Sequence, residues 1–416
     1  MATPVADPAA IAAVEDILKE TWPSDQLESQ LLEETILLDW MDDVTEYTDS
    51  DGLRASVPLH TGRGGASHSR GIGQKLGPSG HQRARKASYN YTFHYVTVKV
   101  LGPIIAKMKT QRQAAVREID FEVEGAITDA QQNLQRMLHS SGDAVLGVVG
   151  TTDDDAEVSI TDAFGQHAIR CGWIYEGVPL DCGTAANPVA SFQGQRVIDV
   201  DDENYTITLD AAVDTTAGHT ISIYGNRVAA GEESFEMDGL GKFLDPTEPV
   251  GGIDPDTAGD RFWKPTVLAN SGTPRQLSIN LLLKVEQKLR QRGSKCQVVT
   301  GDLDQERGYY NLLEPKVRFI GDKKLSEGNL NGLEYNGKMF VGDPHHPPGK
   351  VRFLNKKYFF MVSAGKFAWQ NTTTGGNILA WVQDEDAFVA RAAKYGQLAT
   401  NHRKGIGSLE DLETPA

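Results

Sequence analysis

Residues 52–117 contain no aspartate or glutamate, yet they carry twelve bases: Arg54, Arg63, Arg70, Lys75, Arg83, Arg85, Lys86, Lys99, Lys107, Lys109, Arg112 and Arg117. The stretch before them, residues 1–51, holds fourteen acids against one base, Lys19, so a balance of −13 meets one of +12. The whole chain carries −16, which leaves −15 for the remaining 299 residues. A chain sorted in this way has to bring its basic block against an acidic surface or an anionic ligand. A basic block alone points to nucleic acid, but the clean acidic block beside it favours docking between copies of the same chain. Exposed ion pairs contribute only about 0–1 kcal/mol each, so the pattern would set register and partner choice while apolar contacts hold the assembly.

The basic block is bounded by strand-like segments. Leu53–Leu59 alternates as a strand, and Ser88–Leu101 as another with Tyr89, Tyr91, Phe93, Tyr95, Thr97 and Lys99 expected on one face. Some 28 residues rich in Gly, Ser, His and Arg separate them. A loop that long is functional or disordered, and between two strands it reads as an extended hairpin that leaves its own core and needs another subunit. In the acidic arm, residues 8–20 and Leu27–Trp40 read as short helices.

Residues 111–140 form the best helical pattern, with Val116, Ile119, Val123, Ile127, Ala130, Leu134 and Met137 on one stripe. Arg112, Glu118, Asp120, Glu122, Glu124, Asp129, Gln132 and Arg136 are assigned to the polar face. At 1.5 Å per residue such a helix is about 45 Å long, a spine laid on a sheet. Residues 147–226 turn to Thr, Val, Asp and Gly with short strands, including a hairpin of Arg196–Val200 and Tyr205–Leu209, and predict an inserted β-domain. Thr273-Pro274-Arg275-Gln276 predicts a capped helix start, Leu277, Leu281, Val285 and Leu289 its buried stripe, and Gly293 its end. Cys296–Thr300 as a buried strand and Asp304–Leu313 as a helix complete an α/β unit on a mixed sheet. Leu333–Val341, Val351–Leu354 and Lys357–Val362 read as further strands, and Gly375–Thr400 as apolar material returning at the chain end.

The 416 residues are 39% hydrophobic and 24% charged, a globular composition with room for two or three cores. Apolar runs fall far short of a membrane helix. Asp7, Glu15 and Asp16 stand where a signal peptide would be uncharged, so synthesis and use in the cytosol is the expectation. Cys171, Cys182 and Cys296 are too scattered for a disulfide framework and are expected as reduced, mostly buried thiols.

Sites of chemistry are thin. Gly71-Ile72-Gly73 with Gly77 has the wrong spacing for a phosphate loop and no helix after it. Asp343, His345 and His346 could bind a metal as in a hydrolase, yet adjacent histidines in a proline turn are poorly placed to converge, and a structural turn is favoured. Asp153, Asp154, Asp155 and Glu157 lack calcium-loop spacing and read as a solvated acidic turn. No nucleophile elbow or singled-out cysteine appears. The expectation is a protein that is not an enzyme and has no cofactor, no catalytic residues and no metal site. A basic-loop nucleic-acid binder using Arg83, Arg85 and Lys86 stays as a competing reading.

The order of these parts resembles the major capsid protein of tailed bacteriophages, the Hong Kong 97 fold. The segment TWPSDQLESQLLEETILLDWMDD (21–43) looks like the N-terminal arm of that family, and SVPLHTGRGGASHSRGIG (56–73) like the opening of its E-loop. DFEVEGAITDAQQNLQRML (120–138) looks like its spine helix. EMDGLGKFLD (236–245), VLANSGTPRQLSINLLL (267–283) and EYNGKMFVGDPHHPPGKVRFLN (334–355) look like its axial-domain stretches. The resemblance implies an α+β fold with an acidic arm at 1–51, an E-loop hairpin at 52–100 and a peripheral domain with spine helix at 101–146. It places the inserted β-domain at 147–226, a peripheral return at 227–250, the axial domain at 251–374 and peripheral C-terminal strands at 375–416.

By the same resemblance the protein is a virion shell subunit, assembled in the host cytoplasm as hexamers and pentamers of itself into an icosahedral shell. The shell encloses double-stranded DNA that it contacts non-specifically, and no membrane is involved. Inter-subunit contacts are expected from Arg63, Arg70, Lys75, Arg83, Arg85 and Lys86 of the E-loop, with acidic docking by Glu33, Glu34, Asp39, Asp42 and Asp43. A portal and decoration proteins are implied partners. Some relatives crosslink an E-loop lysine to a neighbour's asparagine; Lys75 and Lys86 are available, but no motif selects either, and crosslinking is not expected. The short arm implies a separate scaffolding protein or a cleaved segment. An encapsulin-like nanocompartment shares the fold and is the nearest alternative.

Overall fold

The computed structural model describes residues 36–44, 46–47, 53–65, 67–75, 80–103, 112–184, 189–227, 234–313, 333–365, 367–370, 378–382 and 385–415. The helix expected over residues 8–20 lies outside them, as does most of the one expected over Leu27–Trp40, of which α1 (Ile36–Trp40) is described. In chain order there follow β1 (Asp43–Val44), β2 (Arg54–Gly62), β3 (Arg83–Asn90), β4 (Thr92–Leu101) and α2 (Arg112–His139). The next segment comprises β5 (Gly147–Val148), β6 (Thr152–Ser159), α3 (Ala163–Arg170), β7 (Pro179–Gly183), β8 (Gln195–Asp201), β9 (Thr206–Thr215) and β10 (Thr220–Ile223). Then come α4 (Leu240–Leu244), β11 (Thr266–Leu268), α5 (Ile279–Gln291), β12 (Val298–Gly301), α6 (Leu303–Leu313), β13 (Leu333–Tyr335) and β14 (Lys338–Gly342). The chain closes with β15 (Val351–Leu354), β16 (Phe359–Ser363), β17 (Ala368–Trp369), β18 (Leu379–Trp381), β19 (Ala387–Thr400) and β20 (Gly407–Leu409). The contacts divide it into two units, residues 1–40, 92–237 and 363–396, and residues 41–91, 238–362 and 397–416.

In the first unit β4 pairs antiparallel with β19 over ten residue pairs, from Ala387↔Leu101 to Gly396↔Thr92. β17 and β18 also pair with β19. Val96, Val98 and Val100 of β4 are buried, as are Val123, Ile127, Leu134 and Met137 of α2, which packs on that strand. The spine-on-sheet expectation is met, with one correction: Arg136, assigned to the polar face, is 2% exposed. Its guanidinium donates to both oxygens of Glu236, at 2.8 and 2.5 Å, and to Asn133 Oδ1. A pattern of residue types cannot reveal a buried arginine, because its partner lies a hundred residues away.

The inserted segment is a sheet in the order β5-β10-β7-β8-β9-β6. Val158, Ile207, Leu209 and Ile221 close its core with Trp173, Ile174 and Phe192. α3 crosses β5 so closely that a Cβ on Gly147 would meet the Gly165 backbone at 2.7 Å, which is why two glycines stand there. Asp162 caps α3 by accepting the Gly165 N–H. Asp153, Asp154 and Asp155 do not form a turn; they lie exposed on the edge strand β6, where charge discourages edge-to-edge pairing.

The second unit is built on a mixed sheet ordered β11-β20-β15-β12-β14-β13. Val299, Phe340, Phe353 and Leu409 on one face pack with Leu282, Val285 and Leu289 of α5 and Tyr309 of α6. β20 pairs with β11 and β15, so residues 407–409 belong to this sheet and not with the C-terminal strands of the first unit, where the sequence places them. The segment expected as one strand over Leu333–Val341 is a hairpin, β13 and β14, turned at Asn336-Gly337. Helix α5 starts later than expected: Ser278 is the cap, its hydroxyl accepting the Leu281 N–H, while Thr273 and Arg275 run in extended backbone tied to Asn270 and Asp411. Gly293, at φ +85°, follows its end as expected.

The Ser88–Leu101 ladder is also corrected. Tyr89 and Tyr91 are buried, but Phe93, Tyr95, Thr97 and Lys99 are exposed and Val96, Val98 and Val100 buried. The chain breaks at Tyr91, β3 pairing with β2 and β4 with β19, so the buried parity switches from odd to even.

Candidate assembly surfaces

β2 and β3 form a two-stranded antiparallel hairpin with register Arg54↔Asn90 to Gly62↔Arg83 and a bulge beyond His60. Its root is buried: Ala55, Val57, Leu59, Ala87 and Tyr89 are at most 4% exposed. Tyr89 stacks on Phe243, donates to the Thr400 carbonyl at 2.9 Å and accepts the Thr400 N–H at 3.2 Å, with burial raising its phenol well above the usual range. Ser88 donates its N–H to the Gly251 carbonyl, and a Cβ on Gly251, at φ +62°, would press on Ala87 at 2.9 Å. Beside this root the buried Arg403 donates to the carbonyls of Lys242, Phe243, Asp245 and Glu248, satisfying the end of α4.

Past the root the side chains turn outward. Arg63 is exposed, as are Arg70, Lys75, Arg83, Arg85 and Lys86. Arg85 departs from the expectation that these cations wait for another subunit, because its guanidinium lies 2.9 Å from Asp260 of its own chain. With Arg85 55% exposed, that pair contributes less than about 1 kcal/mol. The two sides of the loop cross at Gly64 and Gly80, where a Cβ on Gly80 would stand 1.5 Å from the Gly64 carbonyl oxygen. His60 and Gln82 join their side chains just below. At the far end Gln74 donates its N–H to the Gly71 carbonyl and closes a turn that presents Ile72.

Of the acids expected to dock, Glu33 and Glu34 lie outside the described residues. Asp39 is exposed in α1, and Asp42 and Asp43 are exposed where β1 pairs in parallel with β16. Asp260, Gly251 and the Tyr89–Thr400 contact were not legible in the sequence, because all depend on residues far along the chain. Ile72 did carry a legible signal, as a lone apolar residue between two glycines.

Asp343, His345 and His346 form a turn: Asp343 accepts the His345 N–H on its carboxylate at 2.9 Å and the His346 N–H on its carbonyl. Among the described residues no group of three or more His, Cys, Asp or Glu is placed to hold a metal ion. Burial pushes the Cys182 and Cys296 thiols up to about 12.

No family model matches the chain, and no curated protein does. Solved structures do. The capsid asymmetric unit of cyanophage A-1(L) shares 14% identity at a TM-score of 0.51, over 92% of this chain and 91% of that one. The capsid of a native GTA particle shares 9% at 0.44, over 92% and 91%. The holo-SrpI encapsulin complex from Synechococcus elongatus PCC 7942 shares 7% at 0.44, over 92% and 90%. At such identities the likeness is one of fold, and it is the first of the three that carries it. The protein therefore has the α+β fold of phage major capsid proteins, the Hong Kong 97 type expected from the sequence.

Proposed function

We propose that this chain is the major shell subunit of a tailed double-stranded DNA phage, assembling with itself as hexamers and pentamers into an icosahedral capsid. One observation carries the reading: a hairpin with a buried root and an exposed, basic distal half, in a chain whose acids lie elsewhere. Repeated interfaces let contacts that are weak singly sum to a closed shell. Within that reading residues 1–51 are the arm, 52–100 the E-loop, 101–146 with 227–250 and the strands of 375–400 the peripheral domain, 147–226 the insertion, and 251–374 with the returning strand 407–409 the axial domain. Docking of Asp39, Asp42 and Asp43 against the hairpin cations of a neighbour belongs to it. So do a scaffolding protein, a portal and decoration proteins as partners, and assembly in the host cytoplasm. A net acidic subunit suits a container that must not grip its genome, since phosphate affinity scales with the charges neutralised.

The test is electron microscopy and sedimentation of the purified protein. Closed particles in the megadalton range are expected; a monomer at every salt concentration and protein concentration overturns the reading. The contents of particles from the native source decide between phage and nanocompartment, DNA supporting the first and a protein cargo the second.

A further inference from the structure

Ile72 is the one apolar side chain among the described residues 61–75, and it is fully exposed. It is displayed by a built turn. Gln74 donates its N–H to the Gly71 carbonyl at 3.2 Å, Gly71 donates to Gln74 Oε1 at 3.4 Å, and Gly73 takes φ +82°. Glycines on both sides let a receptor approach the backbone closely. Arg70 and Lys75, both exposed, stand on either side of the turn. An apolar knob between two cations fits a receptor with apolar walls and an acidic mouth.

The first unit holds a cavity of about 280 Å³ between α2, β4 and the inserted sheet, its apolar part formed by Ala126, Trp173, Val178 and Ile223 and its polar part by Gln132 and Asn133. Asp129 also lines it and is exposed. Glu122, also exposed, stands seven residues earlier on the same stripe of α2. Arg136 reaches the cavity too, but its charge is matched by Glu236.

We propose that Ile72 of one copy seats in this cavity of a second copy, with Arg70 and Lys75 facing Asp129 and Glu122. The proposal rests on the shell reading and names the receptor for the hairpin tip. The knob supplies the apolar contact that exposed ion pairs cannot, and the charges fix which way the turn enters.

The experiment compares shell assembly by light scattering and sedimentation for the full chain, Ile72→Asp and Asp129→Lys, with urea unfolding of the unassembled subunit as control. Both variants are expected to unfold at the wild-type midpoint and to assemble at least tenfold more slowly. Copies carrying Ile72→Cys mixed with copies carrying Ala126→Cys should give a disulfide-linked pair on oxidation, absent when Ser69→Cys replaces Ile72→Cys. If wild-type shells form but Ile72→Asp keeps pace and no link appears, the receptor is wrong and the shell reading stands. If the wild-type protein never closes a shell, both fall.

Discussion

His94 and Asp302 draw the stability of the two units in opposite directions with pH. Burial lowers His94 to about 4, opposed by the Glu236 carboxylate and helped by the Lys394 and Arg136 charges. Its folded value lies below that of a free histidine, so the unfolded chain binds more protons and its contribution is present above about pH 6.5 and lost on descent to 4. Burial raises Asp302 to about 6, against the Gln305 N–H that its carboxylate accepts. Here the folded state binds the extra proton, so stability falls as pH rises from about 4 to 6. Asp302→Asn keeps an acceptor for that N–H. It is expected to raise stability at pH 7 by about 1–3 kcal/mol and to flatten the slope between pH 4 and 6, measured by urea unfolding across pH. At the Arg136–Glu236 pair, where both side chains are 2% exposed, Arg136→Met strands a buried carboxylate. A loss of about 3–5 kcal/mol is expected, with much of it regained when Glu236→Leu is added, as the same unfolding measurement would show.

At the scale of elements, helix α5 shows how a local signal is overruled. Thr273-Pro274 has every mark of a helix start, but Arg275 donates its N–H to the Asp411 carbonyl of the returning chain and accepts the Glu413 N–H, and the helix waits for the Ser278 hydroxyl. Ser278→Ala should therefore cost about 1 kcal/mol and Thr273→Ala close to nothing in thermal unfolding. The hairpin depends on backbone crossing at Gly64 and Gly80. Gly80→Ala puts a methyl into the Gly64 carbonyl and is expected to expose the loop to protease well before the body unfolds, while wild-type and variant share one unfolding midpoint because the root is packed on its own.

For the molecule as a whole, the sorted charge makes association depend on salt. Reversing Arg63, Arg70 and Arg83 together to Glu removes six units of charge contrast, and assembly is expected to fall more steeply than the subunit's stability. Raising NaCl from 50 to 500 mM should weaken wild-type assembly and leave the reversed variant little changed, since screening acts on exposed pairs. Sedimentation velocity at both salts reads the outcome.

The sequence by itself determined the periodic and compositional facts: the spine helix, the inserted sheet, the hairpin with no acid in it, and the order of parts that resembles a capsid subunit. These are properties of neighbours in the chain, where a period of two or of about 3.6 is visible without a partner. Tertiary structure alone decided which face of β4 is buried, where α5 begins, that β20 joins β11 and β15, and that Arg136 lies inside. Each of those turns on a residue scores or hundreds of positions away, such as Glu236 for Arg136 or Thr400 for Tyr89. Burial of a charge or a change of strand partner is set by that distant contact, and no local pattern encodes it.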